Sequence, residues 1–389
     1  MISVTGYGAI TCAGKTANEL WQSCLDEKTH IQNGLGAITN QDFDAPLYQA
    51  FLESDKFDFI TKRSRAMKMS LTAIDEAMAH AGWTELRPDD GIILATTTGQ
   101  IELWDQILVD YLTQKIEFSE FTKSFRYQPI GYLLENLCQS LDFNGQRLLI
   151  ASACTAATQA IGLAYLWLKE KRVKRCLVGG VEVLCPLTVE GFRSLKLLSD
   201  QTSTPFDLNR KGINLSEGSA FLCLESEPQK NQALANISGF GISTDAYHMT
   251  GPQPEGVGSL RAMQSALHNA KLSSNDISWI HAHGTGSELN DLSEGRAVIQ
   301  CFGQEMPFVT STKWIHGHAL GASGVLESIL CIKALQEQRI LKSFGHCVQD
   351  PKIPLRLTDR TQSLKVKNVL KNTLGFGGMN ASIIMSQPQ

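Results

Sequence analysis

The chain has 389 residues, 43% of them hydrophobic, which is enough to bury one large core or two fused ones. Its 35 Lys and Arg stand against 39 Asp and Glu, and the formal charge of -4 gives no whole-molecule attraction to nucleic acid or anionic lipid. No apolar run reaches the ~18–20 residues that cross a bilayer, so no membrane span is expected.

The N-terminus, MISVTGYGAI, lacks the basic segment and small-residue cleavage site of a secretory signal. Its residues 3–9, SVTGYGA, predict a short β-branched strand running into a Gly-aromatic-Gly turn. A helix is predicted over 64–82, a strand over 91–98, and another, RLLIASA, over 147–153. The helix predicted over 155–171 is apolar on most of its circumference and must be buried. A strand follows over 175–184. Residues 236–242, NISGFGI, then echo the opening pattern, and the plan repeats with a strand over 306–312 and a mostly apolar helix over 319–338. Strand, reactive residue and helix thus occur twice, which divides the chain into halves 1–235 and 236–389 and predicts an α/β fold with sheets sandwiching helices. The ten cysteines are irregularly spaced with no Cys-x-x-Cys pair, so a reducing, cytoplasmic setting without disulfides or a zinc ribbon is expected.

Cys154 stands where a strand ends and a buried helix begins. Unpaired N–H groups and the positive end of the helix dipole at such a place favour thiolate over thiol. Two His-x-His pairs follow, His281 with His283 and His316 with His318. On a strand such pairs share a face and suit zinc by spacing. A metal needs three or four ligands, however, and no further carboxylate or thiolate is evident nearby in sequence. Two imidazole N–H donors, one from each loop, have a more economical use: they stabilise the enolate left when a malonyl thioester loses carbon dioxide. Lys313 lies between an apolar strand and a Gly-rich turn, where its charge needs a partner, and Glu294 is the acidic candidate. The segment 372–382, NTLGFGGMNAS, matches neither a dinucleotide fingerprint nor a Walker A loop. Its glycines allow close backbone approach to a ligand, with Phe376 as an apolar gate.

In order and spacing, ASACTAATQAIG, GFRSLKLLS, TPFDLNRKGINLSEGSA, AHGTGSELND, STKWIHGHALGASGVLES and LGFGGMNAS resemble successive blocks of the β-ketoacyl-acyl-carrier-protein synthase I/II family, within the thiolase-like superfamily. The blocks span about residues 145–385, and the strand VTGYGAIT also fits. The resemblance implies a thiolase-like duplicated fold, layered α-β-α-β-α, with two five-stranded mixed sheets around buried central helices. It implies a decarboxylative Claisen condensation that joins an acyl group on Cys154 to malonyl-acyl-carrier-protein, in fatty acid or in polyketide or polyene biosynthesis. The implied roles are Cys154 as acylated nucleophile, His283 and His318 as the decarboxylating pair, and Lys313 with Glu294 as the organisers of the site. The oxyanion hole falls at the N–H groups of Cys154 and Phe376, and Thr285, Ser287, Gly375 and Gly377 fall where substrate binds. His281 and His316 have no catalytic counterpart.

Two departures bear on the substrate: the usual Thr-Ser-Thr-Pro becomes Thr285-Gly286-Ser287-Glu288, and the Thr of the last block becomes Met379. Residues 57–68 look like the family's carrier-docking helix, with Lys62, Arg63 and Arg65 facing an acidic carrier. Residues 96–130, rich in bulky side chains, would lie near the acyl pocket and dimer face. The implied partners are acyl carrier protein and a second subunit, as a homodimer or a heterodimer with another ketosynthase-like chain; no cofactor and no metal are expected. Three alternatives stand beside this: a non-elongating chain-length-factor-like subunit, which typically lacks the Cys; a thiolase using coenzyme A, which would carry a second reactive Cys near its C-terminus; and a metal-binding module built on the His-x-His pairs. The last cysteine, Cys347, lies outside the Gly-rich block.

Overall fold

The computed structural model describes residues 1–38, 44–228, 232–343 and 348–388. Ten strands form one mixed sheet: β1 (Ile2–Thr11), β2 (Gly91–Ala95), β3 (Gln146–Ile150), β4 (Arg175–Glu182), β5 (Gly218–Glu225), β6 (Ala235–Thr244), β7 (Trp279–His281), β8 (Phe308–Thr310), β9 (Asn368–Gly375) and β10 (Met379–Ser386). Their order is β8-β7-β9-β10-β6-β1-β5-β4-β2-β3. Outward from the centre, each half runs through its first, fifth, fourth, second and third strand. The two inner pairings are antiparallel and the two outer ones parallel in both halves. The internal echo in the sequence is therefore a repeat of topology. The two expected five-stranded sheets are joined, however, because Ile2, Ser3 and Val4 pair antiparallel with Ile237, Asn236 and Ala235.

Five helices define the layers: α1 (Arg65–Ala81), α2 (Ala156–Lys169), α3 (Val257–Ala270), α4 (Glu288–Phe302) and α5 (Ser323–Glu337). Along β5, Ala220, Leu222 and Leu224 join one apolar cluster with α2 and α5, while Phe221 and Cys223 join another with α1. Along β10, Ala381, Ile383 and Met385 face the central helices and Ile384 faces α3 and α4. A period of two on both faces is what a sheet covered on both sides requires. Helices α2 and α5 pack against strands of both halves, which gives the layering α-β-α-β-α. They are buried on nearly every side, as their all-round apolar sequences demand.

The Gly-aromatic-Gly segments are not turns. Both lie inside strands that continue to Thr11 and Thr244. A Cβ on Gly6 or Gly8 would come within 2.4 Å of Ala77 O and 2.2 Å of Ala73 O in α1; on Gly239 or Gly241 it would come within 2.3 Å of Ala266 O and 2.0 Å of Ala262 O in α3. The glycines let one helix per half lie directly on its strand. Ser64 caps α1 by accepting from the Met67 N–H, and Gly82, at φ 68°, ends it. No helix of the described residues is long and apolar enough to cross a membrane.

Substituting Gly241→Ala drives a methyl into main chain that cannot yield and is expected to destabilise the protein by about 1–3 kcal/mol in chemical denaturation. Gly131→Ala, where nothing lies within 4 Å, should stay within about 0.5 kcal/mol of the parent.

Candidate active site

The N-termini of α2 and α5 converge, and the reactive groups sit just before them. After β3 the chain turns through Ala153, held at φ 45°, which places Cys154 ahead of α2. A non-glycine residue in this region costs on the order of 1 kcal/mol. Gln159, one turn into α2, holds the turn by donating to Ser152 Oγ at 2.7 Å and Thr155 Oγ1 at 2.8 Å. Cys154 is 5% exposed. Burial pushes the thiol up to about 12, although the Lys313 ammonium and the backbone N–H groups of Phe376 and Cys154 draw it down. The helix terminus favours thiolate, as the sequence predicts, but desolvation outweighs it and the resting group is a thiol.

His283 follows β7, at the start of a loop gripped by two carboxylates on one face of α4. Glu294 accepts the N–H groups of His283 at 2.7 Å and Gly284 at 2.8 Å, and Asp291 accepts those of Thr285 at 3.0 Å and Gly286 at 3.2 Å. His318 follows Gly317, itself at φ 76°, and its N–H donates to Asn214 O at 2.7 Å. Its Nε2 lies 3.1 Å from Cys154 Sγ and its Nδ1 2.9 Å from Ser323 Oγ, the first residue of α5. The rings of His283 and His318 meet edge-on with centroids 5.1 Å apart. Burial, reinforced by the Lys313 ammonium, holds both imidazoles well below the usual histidine range, so both are neutral.

The structure brings Cys154, His283, His318 and Lys313 together and corrects the lysine's partner. Lys313 Nζ pairs with Glu327 Oε1 in α5, donates to His283 O at 2.8 Å, and lies 3.4 Å from His283 Nδ1. Glu294 instead braces the His283 loop and accepts from Asn372 at 2.8 Å. Lys371, in β9, reaches the other oxygen of Glu327 at 2.8 Å, making a buried ammonium–carboxylate–ammonium row. Burial alone would push the Glu327 carboxyl up, but the two ammonium groups outweigh it and hold it well below the carboxylate range. Burial pulls Lys313 down against the pull of Glu327. An ammonium can only donate, so His283 Nδ1 accepts and its proton resides on Nε2.

Glu327 and Lys371 were missed in the sequence, yet each is a lone charge in an otherwise uncharged stretch, which is itself a signal. His281 and His316 stand behind the site, bridged by Thr312. The zinc geometry of the His-x-His pairs does not form, because β7 ends at His281 and His316 lies in the one-turn helix Lys313–His316. Among the described residues, the grouping able to hold a metal is Cys154, His283 and His318, whose ligand atoms lie within 4.8 Å of one another. No carboxylate joins them, and the Lys313 ammonium opposes a cation there.

Cys154, His283 and His318 line a cavity of about 340 Å³, together with Thr285, Ser287, Gly375 and Phe376, and Lys196 and Lys211 also border it. Thr285 and Ser287 share a hydrogen bond of 3.0 Å. Gly375 lies against the main chain of Cys154 and Thr155, and Gly377, at φ 82°, turns the loop behind Phe376. The Phe376 ring stacks on Phe192 at 5.5 Å, an aromatic partner the sequence did not single out. Met379 opens β10 opposite Gly375. Residues 57–68 are not one helix: a single helical turn over Phe59–Lys62 ends before Ser64, the cap that precedes α1. Arg65 is turned inward, its Nε 2.8 Å from Glu217 Oε2, which removes it from a docking face. Lys62 and Arg63 do not border the cavity. Cys347 lies outside the described residues; the other nine cysteines are free.

This fold and the placing of these groups put the chain among the thiolase-like proteins. The family model for the N-terminal domain of β-ketoacyl synthase matches residues 1–230, and that for the C-terminal domain matches 234–346. The 3-oxoacyl-[acyl-carrier-protein] synthase 2 of Synechocystis is 30% identical over 100% of this chain and 98% of its own length, and nodulation protein E of Rhizobium meliloti is 28% identical over 99% of each. Among solved structures, a β-ketoacyl synthase from Burkholderia phymatum is 27% identical with a TM-score of 0.87, covering 100% of this chain and 99% of that one. A ketosynthase (ApeO) in complex with its chain length factor (ApeC) from Xenorhabdus doucetiae is also 27% identical, with a TM-score of 0.86 and coverage of 100% and 98%. The chain belongs to the β-ketoacyl synthase family.

Replacing Glu327→Gln leaves two buried ammonium groups without their counter-ion and should cost about 3–5 kcal/mol of stability at pH 7. Because the folded carboxyl is held below its ordinary value of 4.5, its contribution is complete above that pH and is lost as the pH falls further. Denaturation of both proteins at pH 7 and pH 4 should show the difference narrowing at the lower pH.

Proposed function

We propose that the chain is a β-ketoacyl-acyl-carrier-protein synthase that works by a two-stage exchange at Cys154, and the observation that carries this is the 3.1 Å contact between Cys154 Sγ and His318 Nε2 beside a second neutral imidazole. In the first stage the sulfur attacks an acyl thioester. The thiol proton passes to His318 Nε2 and on to the departing pantetheine sulfur, so the acyl-enzyme forms with both imidazoles neutral. The Ser323 hydroxyl, able to donate or accept, lets His318 take either tautomer.

In the second stage a malonyl thioester occupies the cavity. Its C–C bond breaks, carbon dioxide leaves, and charge develops on the thioester oxygen, where the Nε2–H groups of His283 and His318 stabilise it. The enolate carbon attacks the acyl carbon, whose oxygen is met by the N–H groups of Cys154 and Phe376. Collapse expels Cys154 as a thiolate and releases a 3-oxoacyl thioester, and uptake of one proton from solvent returns the sulfur to its resting thiol. Every step uses side chains and main-chain N–H groups, so the scheme calls for no cofactor. The intact Cys154 and both histidines favour this over a non-elongating chain-length-factor-like role.

The relatives' name supplies the carrier, and charge supports where it docks: Lys196 and Lys211 are exposed beside the cavity of a chain that is acidic overall. A dimer with itself or a related ketosynthase-like chain is supported by β3, an end strand, and by Val109, Leu112, Phe118 and Phe125, which are exposed on the segment between β2 and β3. The free cysteines fit a cytoplasmic enzyme.

Cys154→Ala should abolish both acyl labelling, read by mass spectrometry, and condensation; a variant that still elongates would overturn the scheme. Reversing Lys196 and Lys211 to Glu should raise KM for the acyl-carrier substrate roughly tenfold with little change in kcat, an effect that shrinks in salt.

A further inference from the structure

Behind the reacting groups lies a second pair of imidazoles that the condensation scheme does not use. His281 ends β7, two residues before His283. His316 ends the one-turn helix that begins at Lys313, two residues before His318. Thr312 stands between them: its Oγ1 is 3.0 Å from His281 Nε2 and 2.9 Å from His316 Nε2. All three side chains are at most 1% exposed.

We propose that His281, Thr312 and His316 form a hydrogen-bonded clasp that sets the distance between the strand presenting His283 and the segment presenting Lys313 and His318, so that these are positioning residues for decarboxylation.

The chemistry of the clasp is restrictive. A threonine hydroxyl carries one proton and two lone pairs, so it donates to at most one of the two Nε2 atoms and at least one neutral ring must donate to it. Burial, together with the ammonium groups of Lys313 and Lys371, holds His281 down to about 3 and His316 down to about 4, against the opposing pull of Glu327. The other ionisable groups packed around the pair are His283 and His318, both neutral, and Cys12, whose sulfur lies 3.5 Å from His316 O and whose thiol burial pushes up to about 12. Both rings of the clasp are therefore neutral at pH 7. His281 Nδ1 has no partner among the described residues, so Thr312 supplies that ring's hydrogen bond, while Trp279 lies edge-on to it with centroids 5.5 Å apart. Losing the hydroxyl would leave two buried nitrogens unpaired and loosen the 312–318 segment against β7, leaving the bonds of Lys313 Nζ to His283 O and Ser311 Oγ to Gly284 O as the remaining ties. A displacement near 1 Å costs roughly a hundredfold when donors must meet one oxygen.

The inference rests on the proposed roles of Cys154, His283 and His318, and the test separates the two. Thr312→Val and Thr312→Ser are compared for Cys154 acylation and for carbon dioxide release from malonyl carrier protein, with a thermal melt of each. Thr312→Val should lose roughly tenfold to a hundredfold in decarboxylation, with a smaller loss in acylation and the same KM for the acyl donor, and Thr312→Ser should restore the rate. Equal decarboxylation by Thr312→Val and the parent would overturn the clasp, as would an equal loss in both variants, which would assign the effect to the methyl group. A parent protein that neither acylates Cys154 nor releases carbon dioxide would overturn the proposed function instead. Should Thr312→Val not fold, His316→Gln against His316→Leu repeats the comparison, because Gln carries a hydrogen-bonding atom near the place of Nε2.

Discussion

Two ammonium groups and one carboxylate lie at the centre of this protein, each at most 1% exposed. Removing such charges from water costs several kcal/mol apiece, and the cost is offset only where partners are fixed. The row Lys313–Glu327–Lys371 meets that condition by drawing its members from three elements: the turn after β8, helix α5 and strand β9. Burial keeps the neighbouring imidazoles neutral and the row's excess positive charge reinforces this, while the Lys313 ammonium draws the Cys154 thiol down from the height that burial alone would give it. A neutral pair of rings beside a thiol is the arrangement in which proton donors can await a negative charge that has not yet formed.

The duplicated topology explains how groups so far apart in sequence arrive together. Each half sends a strand into a turn and then into a buried central helix, and the two helices start at the same place. One half supplies sulfur at that turn; the other supplies ammonium and imidazole. The site is asymmetric although the frame is not, because only the residues at the turns differ in chemistry.

Much of this was legible before any coordinates. The all-round apolar segments 155–171 and 319–338 could only be buried helices, and Cys154, Lys313 and His318 were placed ahead of them by sequence order alone. What misled was local pattern without its neighbours. The Gly-Tyr-Gly and Gly-Phe-Gly segments have the composition of turns, and their real purpose, admitting a helix onto a strand, depends on alanines that the chain contributes about 65–70 positions later in one half and about 25 in the other. Glu294 lies nearer in sequence to His283 than Glu327 does, yet it faces that residue's main chain and not the lysine. Arg65 sits among basic residues, but the partner that turns it inward is Glu217. In each case the deciding contact is long-range, so the local segment carries no trace of it.

The seam between the halves is narrow in the sheet and broad beneath it. Among the described residues of the ten-stranded sheet, Ile2, Ser3 and Val4 pair across the seam, whereas α2, which belongs to the first half, closes onto Phe240 of the second with Gly162 against the ring. Neither half could hide its own inner helix if severed from the other. Evolutionary drift in one repeat is therefore answerable to the opposite repeat, and the two have had to diverge as a matched pair.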